Sequence, residues 1–270
     1  MSFRKIEASS GMNWLTGAIG AVLRNPVEFL VMGLIVAAIN LVPVLGGLFL
    51  ALCGPALAGG IVFAAREQDQ GRKPEIVHLF RAFQEPGRIT PMLMLCLPAL
   101  VGGFVILVFG FVFGLSALIG GTLMSSTVHA GSDSHWLTAL GGGFLAFGLV
   151  AVVVLVAVYA LQFFAIPRVM LDHAEPWDAM KDSLSACLAN LGAFLLYAVV
   201  LMVVTGVLFV VLAIIPLLGW LALFTVLAAV TGCAQYLAYR DVYVTPADGA
   251  APADTGATDE PTPPSPTDNP

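Results

Sequence analysis

The sequence predicts an all-α integral membrane protein with about six transmembrane helices arranged as three helical hairpins. Of its 270 residues, 59% are hydrophobic and only 10% are charged, and the mean hydropathy is +0.95. Soluble proteins carry about 25% charged residues, so this chain has too little polar surface to cover a water-exposed globule. The composition therefore argues against a cytosolic enzyme, a secreted disulfide-rich domain and a nucleic-acid-binding protein.

Four long stretches without Asp, Glu, Lys or Arg locate the spans: 29–65, 89–132, 134–167 and 183–239. A span needs about 20 apolar residues, and a charge at the bilayer centre costs about 2.5–3.5 kcal/mol. The first and last stretches divide at Pro-Gly turn signals, LVPVLGG (41–47) and IIPLLGW (214–220), and the polar segment 122–135 predicts a loop between the middle two. The predicted spans are 27–43, 45–65, 90–118, 138–167, 191–215 and 218–239.

The first of these spans is short. Only residues 29–42 are uncharged before Pro43, a length that also suits a segment that re-enters the membrane without crossing it. A full hairpin and a re-entrant hairpin both return to the starting side, so the charge pattern leaves both interpretations open.

Every basic residue falls on one side of this arrangement. The 11 Lys and Arg residues lie before the first span, between the hairpins or after the last span, and the three hairpin turns have none. Because basic short loops stay in the cytoplasm, both termini are predicted to be cytoplasmic. Trp and basic side chains near span ends anchor helices at the membrane surface, and the candidates are Trp14, Arg66, Arg168, Trp177 and Arg240.

Three segments on the cytoplasmic side have helical periodicity but are too short to cross. We interpret each as an amphipathic helix that lies flat at the headgroup boundary and precedes one hairpin. The alternative is that each extends the following span into the cytosol. Their apolar positions are Trp14, Ala18, Ile19 and Val22; then Ile76, Leu79, Phe80 and Phe83; then Trp177, Met180, Leu184, Cys187 and Leu191.

The two ends of the chain are polar. Residues 1–10 form a cytoplasmic N-terminal segment without the apolar core of a cleavable signal, and residues 11–243 form the membrane domain. The tail, 244–270, is rich in proline, has five acidic and no basic residues, and is predicted to be disordered. The four cysteines have no disulfide or metal-binding spacing, so no cofactor is expected.

An internal repeat connects the beginning and the end of the chain. Asn25, Pro43 and Gly46 recur in the same order as Asn190, Pro216 and Gly219, and the middle of the chain fits the same plan more loosely. Units with both ends on one side are parallel repeats, related by an axis along the membrane normal. The sequence therefore predicts two or three helix-plus-hairpin units, with chance agreement in a low-complexity sequence as the alternative.

Three segments, 167–197, 66–84 and YRDVY at 239–243, resemble a family of bacterial multi-spanning inner-membrane proteins of uncharacterised function. The resemblance extends over about residues 12–243. It implies the inner membrane of a Gram-negative bacterium, but it implies no activity, ligand or catalytic residue.

Few polar residues remain inside the spans. No Asp, Glu, Lys, Arg or His lies in the middle of a predicted span, and no HExxH, GxSxG or P-loop motif occurs, so no enzyme activity is predicted. His129 and His135, with Asp133 between them, make only a weak metal site in an outer loop. Asn40, Gln162 and Gln235 are the candidates for a polar vestibule; the alternative is that they are amides that hydrogen-bond between helices.

Glycines follow one face of the third predicted span. Gly103, Gly110 and Gly114 are placed where small residues let helices approach closely, either within the bundle or in a dimer.

Two hypotheses of function follow from these observations. The first is a non-enzymatic interaction or envelope-support module in contact with the lipid bilayer, with a membrane-protein partner or a second copy of the chain. The alternative is a transport protein for small solutes or lipids. Neither involves nucleic acid.

Overall fold

The computed structural model describes the backbone of residues 3–125 and 134–244 and, within them, the side chains outside 117–142 and position 216. These residues form helices and no strand, which confirms the predicted all-α class. The helices are α1 (Ser10–Arg24), α2 (Pro26–Asn40), α3 (Leu45–Asp69), a 3-10 helix (Ile76–Phe80), α4 (Arg81–Gln84), α5 (Ile89–Met94), α6 (Leu97–Ser125), α7 (Ser134–Phe163), α8 (Ala165–Leu171), α9 (Pro176–Ala189), α10 (Leu191–Leu212) and α11 (Pro216–Tyr243).

Within the described part of the chain, five helical segments are long and apolar enough to cross a membrane: Leu45–Asp69, Ile89–Ser116, Gly143–Leu171, Leu191–Leu212 and Leu217–Tyr243. A sixth candidate exists only if α1 and α2 are counted together, and these two helices are bent by 107°. With α2 paired to α3, α6 to α7 and α10 to α11, the helices form the predicted three hairpins, here called the first, second and third hairpins.

Helix α2 is shorter than a membrane is thick. Its 15 residues reach about 22 Å, whereas the hydrocarbon core is about 30 Å thick. The corresponding helix of the third hairpin, α10, has 22 residues and reaches about 33 Å. Within the first hairpin α2 is therefore the short helix, since α3 has 25 residues and reaches about 37 Å.

Helices α6 and α7 continue into the segment that the sequence predicts as a loop, 122–135. Helix α6 runs to Ser125 and α7 begins at Ser134. His129 and Asp133, the pair considered as metal ligands with His135, lie outside the described residues, as does the tail from position 245 onward.

The amphipathic segments pack in a cyclic order. The segment before the second hairpin, formed by the 3-10 helix and α4, packs against α3 of the first hairpin. Helix α9, before the third hairpin, packs against α7 and α8 of the second. Helix α1, before the first hairpin, packs against α10 and α11 of the third. Each amphipathic segment therefore contacts the preceding hairpin, and α1 closes the ring.

This packing changes what the amphipathic faces contact. The sequence predicts apolar faces against the headgroup boundary, but Trp14, Leu79 and Met180 are buried against protein. Other apolar positions of the same segments remain exposed, including Ile19 and, at 61% exposure, Trp177. Helix α1 does not extend α2, because the two axes diverge at Asn25.

The first and third hairpins share details that support the internal repeat. Asn25 and Asn190 each occupy the junction between an amphipathic helix and the following hairpin. In each hairpin, a glycine that follows a proline by three positions packs on the carbonyl end of the preceding helix. A Cβ on Gly46 would lie 1.8 Å from the Ile39 oxygen, and one on Gly219 would lie 1.9 Å from the Leu212 oxygen.

The densest part of the core lies at the end of the bundle where the amphipathic segments pack. Six aromatic rings from α1, α10 and the junction of α7 with α8 contact one another there, with centroid distances between 4.8 and 6.4 Å: Trp14, Tyr159, Phe163, Phe164, Phe194 and Tyr197. We call this set the aromatic floor. Away from it, most of the side chains of α6, α7 and α10 that the structure describes are exposed, which suits contact with lipid.

Candidate functional site

A cavity of about 920 Å³ lies between the hairpins. One face comes from α2 and α3 of the first hairpin, a second from α10 and α11 of the third, and a short stretch of α7 completes it. On α3 the lining positions Gly54, Leu57, Ala58 and Ile61 follow one helical face. A Cβ added to Gly54 would have no atom within 4 Å, so the space beside it is empty. The volume is within the range of cavities that bind small molecules.

The cavity is long and narrow along the helix axes. On α11 its lining extends from Trp220 to Gln235, which is about 22 Å at 1.5 Å per residue. On α10 it extends over an equal length, from Phe194 to Phe209. The cavity is therefore longer than one leaflet of the hydrocarbon core, which is about 15 Å, and shorter than both leaflets together.

Its walls are almost entirely apolar. As far as residues 3–125 and 134–244 define it, the lining contains no Asp, Glu, Lys, Arg or His. The Thr231 hydroxyl donates to the Leu227 carbonyl 2.7 Å away, inside its own helix. The Tyr159 hydroxyl lies 3.3 Å from that of Tyr197. These groups have partners within the protein and leave the wall hydrophobic.

Gln235 is the exception. Its side chain lines the cavity and is only 6% exposed, yet within the described part of the chain its amide forms no hydrogen bond, and its Oε1 is buried. A buried polar group without a partner costs about 1–3 kcal/mol. Such an amide at one end of an apolar cavity is a natural contact for a polar group on a ligand.

The end of the cavity next to Gln235 is closed by the aromatic floor. Tyr159 and Phe194, whose rings are 6.0 Å apart, belong both to the floor and to the cavity lining. Trp14 fixes the floor to α11, because its indole N–H donates to Asp241 Oδ2 over 2.9 Å. Water and solutes on that side meet packed aromatic rings and not an open channel.

The side of the cavity between α7 and α10 is open. Tyr159 and Phe194 hold these helices together at the floor, but farther along the cavity the lining residues Leu155 and Met202 are exposed, Met202 to 68%. In the described residues, α7 and α10 do not pack closely beyond the floor. This gap lies between two apolar helices of span length, where a bilayer would place acyl chains.

Charged groups gather below the aromatic floor. Arg168 pairs with Asp182, and the Tyr239 hydroxyl donates to Asp172 over 2.5 Å. Arg240 Nη1 lies 2.6 Å from Asp69 Oδ1, which makes a further link between the first and third hairpins. These bonds fix the helix ends, and they are separated from the cavity by the floor.

A buried arginine joins the loop before the second hairpin to the helix after it. Arg88 Nη1 donates to the Val169 carbonyl over 2.8 Å, and Nη2 donates to Glu85 Oε1 over 2.7 Å. The hydrogen bond from Arg88 stabilises the carboxylate and holds the pKa of Glu85 below its ordinary value of 4.5. Partial burial acts in the opposite direction and is outweighed.

The three predicted vestibule residues lie in different surroundings. Gln235 lines the cavity. The Gln162 amide instead donates to the Leu95 carbonyl over 2.6 Å, which joins α7 to the break between α5 and α6. Asn40 is the last residue of α2, beside the turn of the first hairpin. The structure thus gives Gln235 a position in the cavity and Gln162 a hydrogen bond between helices.

The predicted anchor residues and packing glycines also lie in different surroundings and do not form one site. Trp14 lies in the floor and Trp177 is exposed, while the Arg66 guanidinium lies 5.0 Å from the Phe63 ring. A Cβ on Gly110 would lie 3.4 Å from the Phe147 ring of α7, within the second hairpin, whereas Gly103 and Gly114 have open space beside them. Dimerisation through this face stays a prediction.

Most of the cavity has no polar signal in the sequence. On the α3 face from Gly54 to Ile61 and around Gly206 of α10, every lining side chain is apolar or small. The recurrence of small residues on α3 and Gly206 on α10 is the one signal that could have indicated a space between them. The described residues contain no group of three or more His, Cys, Asp or Glu that could hold a metal.

The chain is similar to a probable inner membrane protein of Burkholderia thailandensis. The two are 29% identical over 266 residues, which cover 93% of this chain and 97% of the relative. No protein-family model matches the chain, and no solved structure matches it significantly. The likeness confirms the resemblance to uncharacterised bacterial inner-membrane proteins, and the span-length helices agree with a multi-pass membrane protein.

Proposed function

We propose that this protein binds a lipid of the inner membrane in the cavity between its three hairpins, as a carrier or transport component and not as an enzyme. The observation that carries the proposal is the cavity itself: about 920 Å³, apolar, about as long as an extended acyl chain and open sideways between α7 and α10. A small polar solute would meet an almost entirely apolar wall, so the geometry favours a lipid.

The cavity supports lipid binding better than it supports the interaction or envelope-support module. That hypothesis relies on amphipathic helices that offer their apolar faces to a partner. Here six of the thirteen apolar positions on those faces, including Trp14, Leu79 and Met180, are buried against protein, and the other seven are exposed. The exposed apolar side chains that remain on α9, such as Trp177 and Leu188, suit contact with the bilayer.

The proposal includes an orientation. All basic residues lie at the end of the bundle that carries the aromatic floor or in the segments joined to it, so we place that end and both termini in the cytoplasm. The cavity then opens within the membrane, with Gln235 toward the cytoplasmic leaflet and Trp220 toward the outer one.

A variant that fills the cavity tests the proposal. Gly206 lines the cavity, and a Cβ added to it would have no atom within 4 Å, so Gly206→Trp should occupy the space without a backbone clash. Gly103, on the exposed face of α6, also has open space and provides the matched control Gly103→Trp. The protein is purified into nanodiscs from native membranes, and the lipid retained after release in the gas phase is measured by native mass spectrometry.

We expect wild type and Gly103→Trp to retain one lipid per chain and Gly206→Trp to retain much less. Retention of the same lipid by Gly206→Trp at the same stoichiometry, or release of a bare chain by wild type, would contradict the proposal.

A further inference from the structure

The head group that the cavity accepts depends on Gln235. Of the polar side chains in the described lining, Gln235 is the one that is more than nine-tenths buried and that has a buried oxygen without a hydrogen-bond partner. It lies at the closed end, next to the aromatic floor. A ligand that enters between α7 and α10 can satisfy this amide only by placing its polar group at that end.

The lining excludes a charged head at this position. A phosphate, carboxylate or ammonium group next to Gln235 would be buried without an opposite charge, because the described lining contains no Asp, Glu, Lys, Arg or His. No basic residue belongs to the described lining, and two of those below the floor, Arg168 and Arg240, already pair with Asp182 and Asp69. A buried charge without a counter-ion is strongly unfavourable, whereas an uncharged head needs only a hydrogen bond.

A hydroxyl is the uncharged group that fits the amide best. It can donate to Oε1 and accept from Nε2, so it satisfies Gln235 whichever way the amide is turned. An ether or ester oxygen can only accept, and it would leave Oε1 without a donor.

We infer that the cavity selects a long-chain, uncharged lipid with a hydroxyl head, whose hydroxyl binds Gln235 and whose chain extends about 22 Å toward Trp220. This inference rests on the proposed function, since it assumes that the cavity holds a lipid. It adds the head-group class and the direction of the bound molecule, with the head toward the aromatic floor.

The experiment compares three probes that share one chain: 1-octadecanol, octadecyl methyl ether and octadecyl phosphate. Equal amounts are added to the protein in nanodiscs, and the bound fraction of each is measured by native mass spectrometry. We expect wild type to prefer the alcohol over the ether by about tenfold, which corresponds to about 1.4 kcal/mol, and to bind the phosphate least.

Two substitutions at one position remove the amide. Gln235→Leu and the nearly isosteric Gln235→Met should still bind the chain but should lose the preference for the alcohol. The control is Gln162→Leu, because Gln162 is the other amide in the inner half of the spans and donates to the Leu95 carbonyl outside the cavity lining. It should keep the full preference.

The outcomes separate the two proposals. If wild type binds all three probes equally, or prefers the phosphate, the head-group inference is wrong and the proposed function stands. Preference for the alcohol that survives in both Gln235 variants also overturns the inference. If wild type retains none of the probes and no native lipid, the proposed function itself fails.

Discussion

The glycines at the turn of the first hairpin allow a test in which the same substitution at two neighbouring positions of α3 should have different effects on the free energy of unfolding. Gly46 and Gly47 both lie in the first turn of α3. A Cβ on Gly46 would lie 1.8 Å from the Ile39 oxygen, while one on Gly47 would have nothing within 4 Å. Ordinary carbon–oxygen contacts are about 3.3–3.6 Å, so Gly46→Ala requires α2 and α3 to separate by about 1.5 Å at the turn.

The expected difference follows from this geometry. Alanine gains up to about 1 kcal/mol over glycine in a helix, and this gain is similar at the two adjacent positions and cancels between them. The remaining difference is the overpacking cost, about 1–3 kcal/mol. We expect Gly46→Ala to unfold more easily than Gly47→Ala by that amount, and Gly219→Ala to lose a similar amount, since its Cβ would lie 1.9 Å from the Leu212 oxygen.

The assay is unfolding by sodium dodecyl sulfate in mixed micelles, followed by tryptophan fluorescence and compared among the three variants. Equal stability of Gly46→Ala and Gly47→Ala would refute the close helix approach in the first hairpin. Destabilisation by Gly46→Ala without a matching effect of Gly219→Ala would refute the equivalence of the two turns, and with it the structural support for the repeat.

Three further predictions concern the ends of the helices. Trp14→Phe should lower the free energy of unfolding by about 1.5–3 kcal/mol, because it removes the hydrogen bond to the Asp241 carboxylate. The control Trp177→Phe, at an exposed position, should lower this free energy less. Equal effects of the two substitutions in the same micelle assay would contradict the prediction. The lowered pKa of Glu85 means that its bond with Arg88 stabilises the fold fully above pH 4.5 and that this stability is lost as the pH falls through the pKa of Glu85 in the folded protein. Wild type should therefore become less stable in acid. A Glu85→Gln variant whose stability changes with pH as that of wild type does would contradict this prediction. Reporter fusions should place both termini in the cytoplasm, with alkaline phosphatase inactive and green fluorescent protein fluorescent at each; an active phosphatase at either end would reverse the orientation.

The helices could be predicted from the sequence because lipid imposes a simple rule. A spanning segment must satisfy its backbone hydrogen bonds and avoid charge, so the uncharged stretches and the Pro-Gly turns mark the hairpins directly. The turns at Gly46 and Gly219 follow from the same pattern, whereas Asn25 and Asn190 stand out in the sequence as matching positions of the internal repeat.

The cavity could not be predicted in this way, because it depends on which faces of uniformly apolar helices meet. On α10, Phe194 is buried and Met202 is exposed to lipid, yet both are large and hydrophobic. The position of Trp14 could not be predicted for a similar reason. A tryptophan ring in an amphipathic helix suits a membrane surface, but here Trp14 is buried and its indole N–H donates to Asp241, which lies 227 residues away in the sequence.

The cyclic packing of the amphipathic segments has a consequence for synthesis. Helix α1 leaves the ribosome before the three hairpins, but its protein contacts are mainly with α10 and α11 of the third hairpin. The contacts of the N-terminal segment form equally late, since the Arg4 amide donates to the Val242 carbonyl and the Ile6 amide donates to Asn190. Until the third hairpin is inserted, the apolar side of α1 has little besides the membrane surface to cover it. The protein therefore passes through an open chain of hairpins before it becomes a closed ring. A product truncated before α10 would remain open, and the cavity between the hairpins would lack one of its walls.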